Sequence, residues 1–151
     1  MSCGRSGSTL MDIMLGNHTG FVSVGELNRI YSAWKNEKQC SCGENIRNCK
    51  IWKPIGKKYL NSNYFKGINK YQLRMIEKSI NLFKFMRIKK SNLITKYHKF
   101  NFAVLNQILL SSASNGVIDS SKSVGRGIGL IKNNNISTKV IHLVRDPRGV
   151  F

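Results

Sequence analysis

The first stretch with residue types suited to chemistry is Gly4-Arg5-Ser6-Gly7-Ser8-Thr9, followed at once by Leu10, Ile13 and Met14 at helical spacing. A loop that opens into a helix presents unpaired backbone amides, and the helix dipole adds partial positive charge there. Gly4 and Gly7 let the backbone approach an anion, Ser6, Ser8 and Thr9 supply hydroxyls, and Arg5 supplies charge. The ATP-binding loop G-x-x-x-x-G-K-[ST] needs a lysine after its last glycine, to reach the β- and γ-phosphates. Here Ser8 follows Gly7. One arginine and three hydroxyls suit a single phosphate better than a triphosphate with magnesium.

Acids are scarce. Seven Asp and Glu stand against 25 Lys and Arg, a formal net charge of +18, so any well-placed carboxylate stands out. That excess favours anionic partners: nucleotides, sulfated or phosphorylated substrates, nucleic acid or a membrane surface. Most of it lies between Lys50 and Lys99, where fourteen basic residues accompany one acid, Glu77. This stretch is rich in Asn and Ile as well as Lys and reads as a solvated, lysine-bearing helical surface. Cysteines gather in one place: Cys40, Cys42 and Cys49 make C-x-C-x6-C, with Cys3 far away in sequence. Zinc sites more often show paired C-x2-C spacings and four ligands. A structural loop, a disulfide and a metal site all remain open for this set.

The elements that must position these residues follow an αβ order. "STLMDIML" reads as a helix ended by Gly16 and Asn17, "FVSV" as a short strand, and "GELNRIYSAW" as a helix with Leu27, Ile30, Tyr31 and Trp34 on one face. Residues 71–90 place Leu73, Ile76, Ile80 and Phe83 on one stripe of an amphipathic helix, and residues 100–113 form a more apolar helix. "GVID" reads as a strand, "VGRGIGLIKN" as a helix weakened by glycines, and "KVIHLV" as a continuous apolar strand covered on both faces. Alternating strands and helices predict a three-layer α/β sandwich with a parallel sheet, whose ligands sit at the carboxyl ends of the strands. One domain over 1–151 is expected, with 50–100 a lysine-rich helical insertion. Only three residues precede the loop, and "KVIHLVRDPRGVF" stops at the start of a helix. Both ends look cut, so the chain reads as part of a longer domain. There is no apolar run of about 18 residues to span a membrane and no apolar leader, and a cytoplasmic location is expected.

In order, "CGRSGSTLM", "GELNRI", "CSCGENIRNCKIW", "VIDSSK" and "VIHLVRDPRGVF" resemble the sulfotransferases that use 3'-phosphoadenosine 5'-phosphosulfate. The likeness is to the branch holding bacterial sulfotransferase-family proteins and the tyrosylprotein sulfotransferases. It implies a P-loop-like parallel α/β fold. It also implies that Arg5, Ser6, Gly7, Ser8 and Thr9 hold the 5'-phosphosulfate, and that Arg145 holds the 3'-phosphate through its planar fork. The serine that the family places several residues beyond that arginine is absent, because the sequence ends at Phe151.

Sulfuryl transfer needs a base for the acceptor proton and cations for oxygen charge, and no metal is required. The resemblance places the base at Glu26; its other reading is a first-turn glutamate complementing the helix dipole. Lys122, just past a strand, is the candidate cation. Asp119 either orients Lys122 or caps the next helix at Ser120 or Ser121. Asp146 and Pro147 suit a helix start, and Arg148 reads first as structural, with a contact to the nucleotide as its alternative. His142 reads as a core residue and His18 as part of a turn. The partners implied are the nucleotide co-substrate and a hydroxyl acceptor, with neither nucleic acid nor a membrane span. Two other classes compete. A P-loop kinase or nucleotide hydrolase is disfavoured by the missing lysine, and a basic nucleic-acid-binding protein by the lack of an aromatic platform among the lysines.

Overall fold

The structure is a computed structural model and describes residues 7–60, 70–78, 92–144 and 146. Gly7 takes a left-handed backbone (φ 87°), a turn few other residues make, and the chain enters α1, Ser8–Gly16. β1, Phe21–Ser23, packs against α1, and the Ser23 hydroxyl donates to Asp12 Oδ2 at 2.8 Å. A 3-10 turn at Leu27–Arg29 leads into α2, Ile30–Lys35. The expected single helix over "GELNRIYSAW" is therefore a tight turn followed by an α-helix.

α3, Trp52–Ile55, continues as a π-helical turn over Gly56–Leu60. Gly56 is required by close approach: a Cβ there would lie 2.0 Å from the Trp34 ring. α4, Lys70–Glu77, and α5, Asn92–Ser112, follow. α5 starts eight residues before the expected helix, and the second half of the amphipathic stripe, with Ile80 and Phe83, lies outside the described residues. β2 is Gly116–Ile118 and α6 is Val124–Ile131.

The sheet is small. β1 and β2 pair in parallel, with Val22 opposite Val117 and Ser23 opposite Ile118. The fold is thus a mixed helical chain around a two-stranded parallel sheet. Its core lies mostly among helices: Trp34, Trp52, Ile55, Tyr97, Phe100 and Ile108 are buried, and Tyr31 stacks on Phe100 with ring centroids 5.7 Å apart. Trp52, Ile55, Tyr59, Leu73, Ile76, Tyr97 and Phe100 all come from the stretch 50–100, so its apolar residues build the core while Lys50, Lys53, Lys57, Lys58, Lys78 and Lys99 are exposed.

Two expectations need correction. Residues 139–144 form no strand, and Val140, Ile141 and Val144 are 43%, 52% and 81% exposed. An apolar run encodes a tendency to be covered, but a strand also needs a neighbouring ladder. Among the described residues this segment pairs with neither β1 nor β2, which pair only with each other. His142 falls with it: its side chain is exposed, not in a core. His18 does lie in the turn after α1, where its Nδ1 meets the Thr19 carbonyl. The glycines of α6 have a tertiary reason. A Cβ on Gly125 would lie 2.7 Å from the Glu77 carbonyl oxygen, and one on Gly129 would lie 2.7 Å from the Tyr97 ring. The cost in helix propensity is exchanged for close packing of α6 on α4 and α5.

Candidate active site

Parallel strands send their following loops to the same end of the sheet. Past β1 the chain runs Val24-Gly25-Glu26, and past β2 it runs Asp119-Ser120-Ser121-Lys122. Backbone hydrogen bonds stitch the two loops: Val24 N–H donates to Ile118 O at 3.0 Å, and Ser120 N–H to Gly25 O at 2.9 Å. The 3-10 turn is tied in as well, since Asn28 N–H donates to Ser121 Oγ at 3.1 Å and Leu27 N–H to Asp119 Oδ1 at 3.4 Å.

This stitching brings the two proposed catalytic side chains together. Lys122 Nζ is 3.0 Å from Glu26 Oε1, and Arg29 Nε is 2.6 Å from Glu26 Oε2. Glu26 is 22% exposed and Lys122 35%, so both reach solvent through an open cleft of about 980 Å³. Arg29 is 76% exposed, and its pairing with Glu26 is of the surface kind that contributes little to stability. Glu26 precedes the 3-10 turn, but its side chain makes no capping hydrogen bond, so its oxygens serve the cations instead.

A second cleft, of about 450 Å³, opens beside the start of α1 and is lined by Ser8, Asp12, Ser120, Ser121, Thr138 and Lys139 among others. That volume suits a mononucleotide-sized ligand. The N-cap of α1 is Gly7, which has no side chain to bond the first amides of the helix. Asp12 Oδ1 and Thr138 Oγ1 are buried there without a hydrogen-bond partner among the described residues. Ser123 and Arg126 line both clefts. Gly7, Ser8 and Thr9 are thus placed at the helix start as expected, whereas Arg5, Ser6, Arg145, Pro147 and Arg148 lie outside the described residues.

Behind the site sits a charged cluster that the sequence reading did not find. Arg126 is 4% exposed. Its Nε donates to Asp119 Oδ2 at 2.7 Å, and its Nη1 donates to Glu77 Oε1 at 3.0 Å and to Asn101 Oδ1 at 2.8 Å. Tyr97 Oη donates to the same Glu77 oxygen at 3.1 Å. Asp119 therefore does not orient Lys122; Arg126 holds it. Nor does it cap the next helix, because the cap is Ser123, whose hydroxyl oxygen accepts from Arg126 N–H at 3.2 Å. The signal available in the sequence was one arginine inside an otherwise apolar, glycine-rich helix.

Burial pushes the Glu77 carboxyl above its ordinary value of 4.5, against the lowering influence of the Arg126 charge. For Arg126 burial works the other way, but Asp119, Tyr97 and Glu77 raise it above its usual value and keep it charged. A carboxyl raised on folding contributes stability that is full below its unfolded value and declines as pH rises through its folded value. The stability of the protein minus that of a Glu77→Gln variant is therefore expected to fall as pH climbs above the ordinary carboxylate value. Urea unfolding of both proteins from about pH 4 to about pH 8 tests this. A difference that grows with pH would mean that the pairing with Arg126 outweighs burial.

The cysteine set also converges. Cys40 and Cys49 have their sulfurs 3.6 Å apart, and all three thiol sulfurs lie within 4.8 Å of one another, unjoined by disulfides. Burial raises Cys49 to about 11, although N–H groups of Trp52 and Ile51 bond to its sulfur. At Cys40 partial burial also pushes upward. Hydrogen bonds from the Cys42 N–H and the Cys49, Cys42 and Ser41 side chains outweigh it and bring the thiol below its ordinary value. Among the described residues no helix is long and apolar enough to cross a membrane. Compared with protein-family models, with characterised proteins and with solved structures, the chain finds no match.

Proposed function

We propose that the chain binds 3'-phosphoadenosine 5'-phosphosulfate and transfers its sulfuryl group to a hydroxyl acceptor, within a P-loop-like α/β fold. The observation that carries this reading is the Glu26–Lys122 contact, a carboxylate and an ammonium 3.0 Å apart at the carboxyl ends of neighbouring parallel strands and open to a cleft. Transfer to a hydroxyl asks the protein for a base and a cation at one place. Glu26 receives the acceptor proton on a carboxylate oxygen. Lys122 offers its N–H groups to the oxygen on which charge grows as the S–O bond lengthens.

The co-substrate supplies an already activated sulfuryl group. What this chain supplies is binding and orientation. Gly7, Ser8 and Thr9 begin a helix whose N-cap, Gly7, brings no side-chain cap of its own, and the resemblance adds Arg5, Ser6 and Arg145 as phosphate ligands. The neighbouring cleft fits the rest of a nucleotide. Thr138 Oγ1 is a buried hydroxyl without a partner among the described residues, suited to a phosphate oxygen, and Asp12 Oδ1 is a buried acceptor suited to a ribose hydroxyl or an adenine amino group.

Calorimetry tests the proposal. Adenosine 3',5'-bisphosphate is expected to bind without magnesium and at least about tenfold more tightly than ATP, a difference of about 1.4 kcal/mol. Tighter, magnesium-dependent binding of ATP would make the chain a nucleotide kinase or hydrolase and overturn the reading. Salt-sensitive binding of DNA with neither nucleotide bound would overturn it as well.

A further inference from the structure

The geometry points to a metal site remote in chemistry from sulfuryl transfer: Cys40, Cys42 and Cys49 form a three-thiolate site for zinc, with the fourth position left to water or another outside ligand. Tetrahedral zinc holds sulfur at about 2.3 Å, which sets neighbouring sulfurs about 3.8 Å apart. Cys40 and Cys49 already stand at 3.6 Å, and the widest separation in the set is within 4.8 Å. Cys42 is exposed, so rotation of its side chain closes the remaining gap.

The backbone is arranged as a support. Cys40 N–H donates to Glu44 O at 2.8 Å, Gly43 N–H donates back to Cys40 O at 3.0 Å, and Gly43 turns the chain with φ 88°. This tight turn presents Cys40 and Cys42 on one side. Asn45 fixes the loop from within: its side-chain N–H donates to Glu37 O at 3.0 Å, and its main-chain carbonyl accepts from Cys49 N–H at 3.0 Å.

Three sulfurs meet here, and a disulfide would use only two. Soft thiolates select zinc over magnesium or calcium. Three thiolates on a divalent cation leave a single negative charge, easily borne by a chain of net charge +18. The site would clip the loop between α2 and α3 against the buried end at Cys49, whose side chain belongs to the core. Binding displaces the thiol protons into solvent, with no change in oxidation state.

The test uses the whole chain, reduced, stripped with a chelator and titrated with Co²⁺ and then Zn²⁺. One equivalent of Co²⁺ per chain is expected to give an intense thiolate-to-metal charge-transfer band, displaced by one equivalent of Zn²⁺ with Kd below about 1 μM. Cys42→Ser, a change at an exposed position that leaves the buried thiol intact, is expected to weaken zinc at least tenfold, and Cys3→Ser to leave the titration unchanged. Absence of the band, or a band equally strong in Cys42→Ser, overturns the site. So does a Cys40–Cys49 disulfide that persists under a reductant strong enough to keep Cys3 a thiol.

Discussion

Replacing Arg126 with methionine is expected to destabilise the protein by about 3–5 kcal/mol, the range seen when one partner of a buried ionic group is removed. Methionine fills similar space, so the loss comes from what is left behind. Asp119 and Glu77 are 13% and 10% exposed at the side chain, and each would lose its only cationic partner in the cluster. Asn101 Oδ1, in a residue 2% exposed, would lose its donor too. For a domain of this length the expected fall in Tm is roughly 6–20 °C. Arg126→Lys should recover only part of it, because one ammonium cannot reproduce a fork that serves Asp119 on one nitrogen and Glu77 with Asn101 on another. Glu77→Gln carries the decisive comparison. In that background Arg126→Met strands one carboxylate fewer, so it should cost less, with a coupling of about 1–3 kcal/mol. Thermal melts of the four proteins measure it. A single Arg126→Met change within 1 kcal/mol of the parent would mean that these acids are solvated, and the cluster would lose its structural role.

That cluster also marks where sequence reading stops. Glu26 and Lys122 were nominated separately, nearly a hundred residues apart, yet they meet because each follows a strand of one parallel pair. Parallel pairing turns the order strand–loop–helix into a common site, and that order is legible. For Arg126 the local signal, a lone arginine in an apolar and glycine-rich helix, hints at burial but does not tell what the side chain pairs with. Its partners come from α4, α5 and the loop after β2, and only the tertiary fold assembles them. The glycines of α6 show the same limit. Read locally, Gly125 and Gly129 weaken a helix, whereas in the fold they admit the Glu77 backbone and the Tyr97 ring. The 139–144 run fails for a complementary reason. Composition records apolar character, but strand formation also needs pairing with a neighbouring strand, and no position in the run encodes that pairing. Of the lysines in 50–99, Lys50, Lys53, Lys57, Lys58, Lys78 and Lys99 are exposed as expected and Lys96 is partly covered, while their apolar neighbours have a larger part than an insertion suggests, supplying Trp52, Ile55 and Tyr97 to the main core.

Glu26→Gln is expected to lower turnover by roughly 10²–10⁴, the usual contribution of a general base. The substitution keeps the shape of the side chain and a hydrogen-bonding oxygen but removes the ability to take the acceptor proton. Turnover can be followed as formation of adenosine 3',5'-bisphosphate, which reports transfer to any acceptor. Nucleotide affinity should barely change, because the phosphate ligands proposed here are the loop at the start of α1 and Arg145, not Glu26. Arg5→Ala should do the reverse and weaken nucleotide binding by about 1.5–3 kcal/mol, the scale of a hydrogen bond to a charged group. Stability separates catalysis from a structural role. Glu26 is 22% exposed and pairs with the well-exposed Arg29 and half-buried Lys122, so its loss should shift Tm little. A variant with normal folding and full turnover would reduce Glu26 to a surface anchor for those two cations. Asp119 could not then take over the role, since one of its oxygens is held by Arg126 at 2.7 Å and the other accepts from the amides of Ser121 and Leu27. The assignment of sulfuryl transfer to this pair of strand ends stands or falls with that one carboxylate.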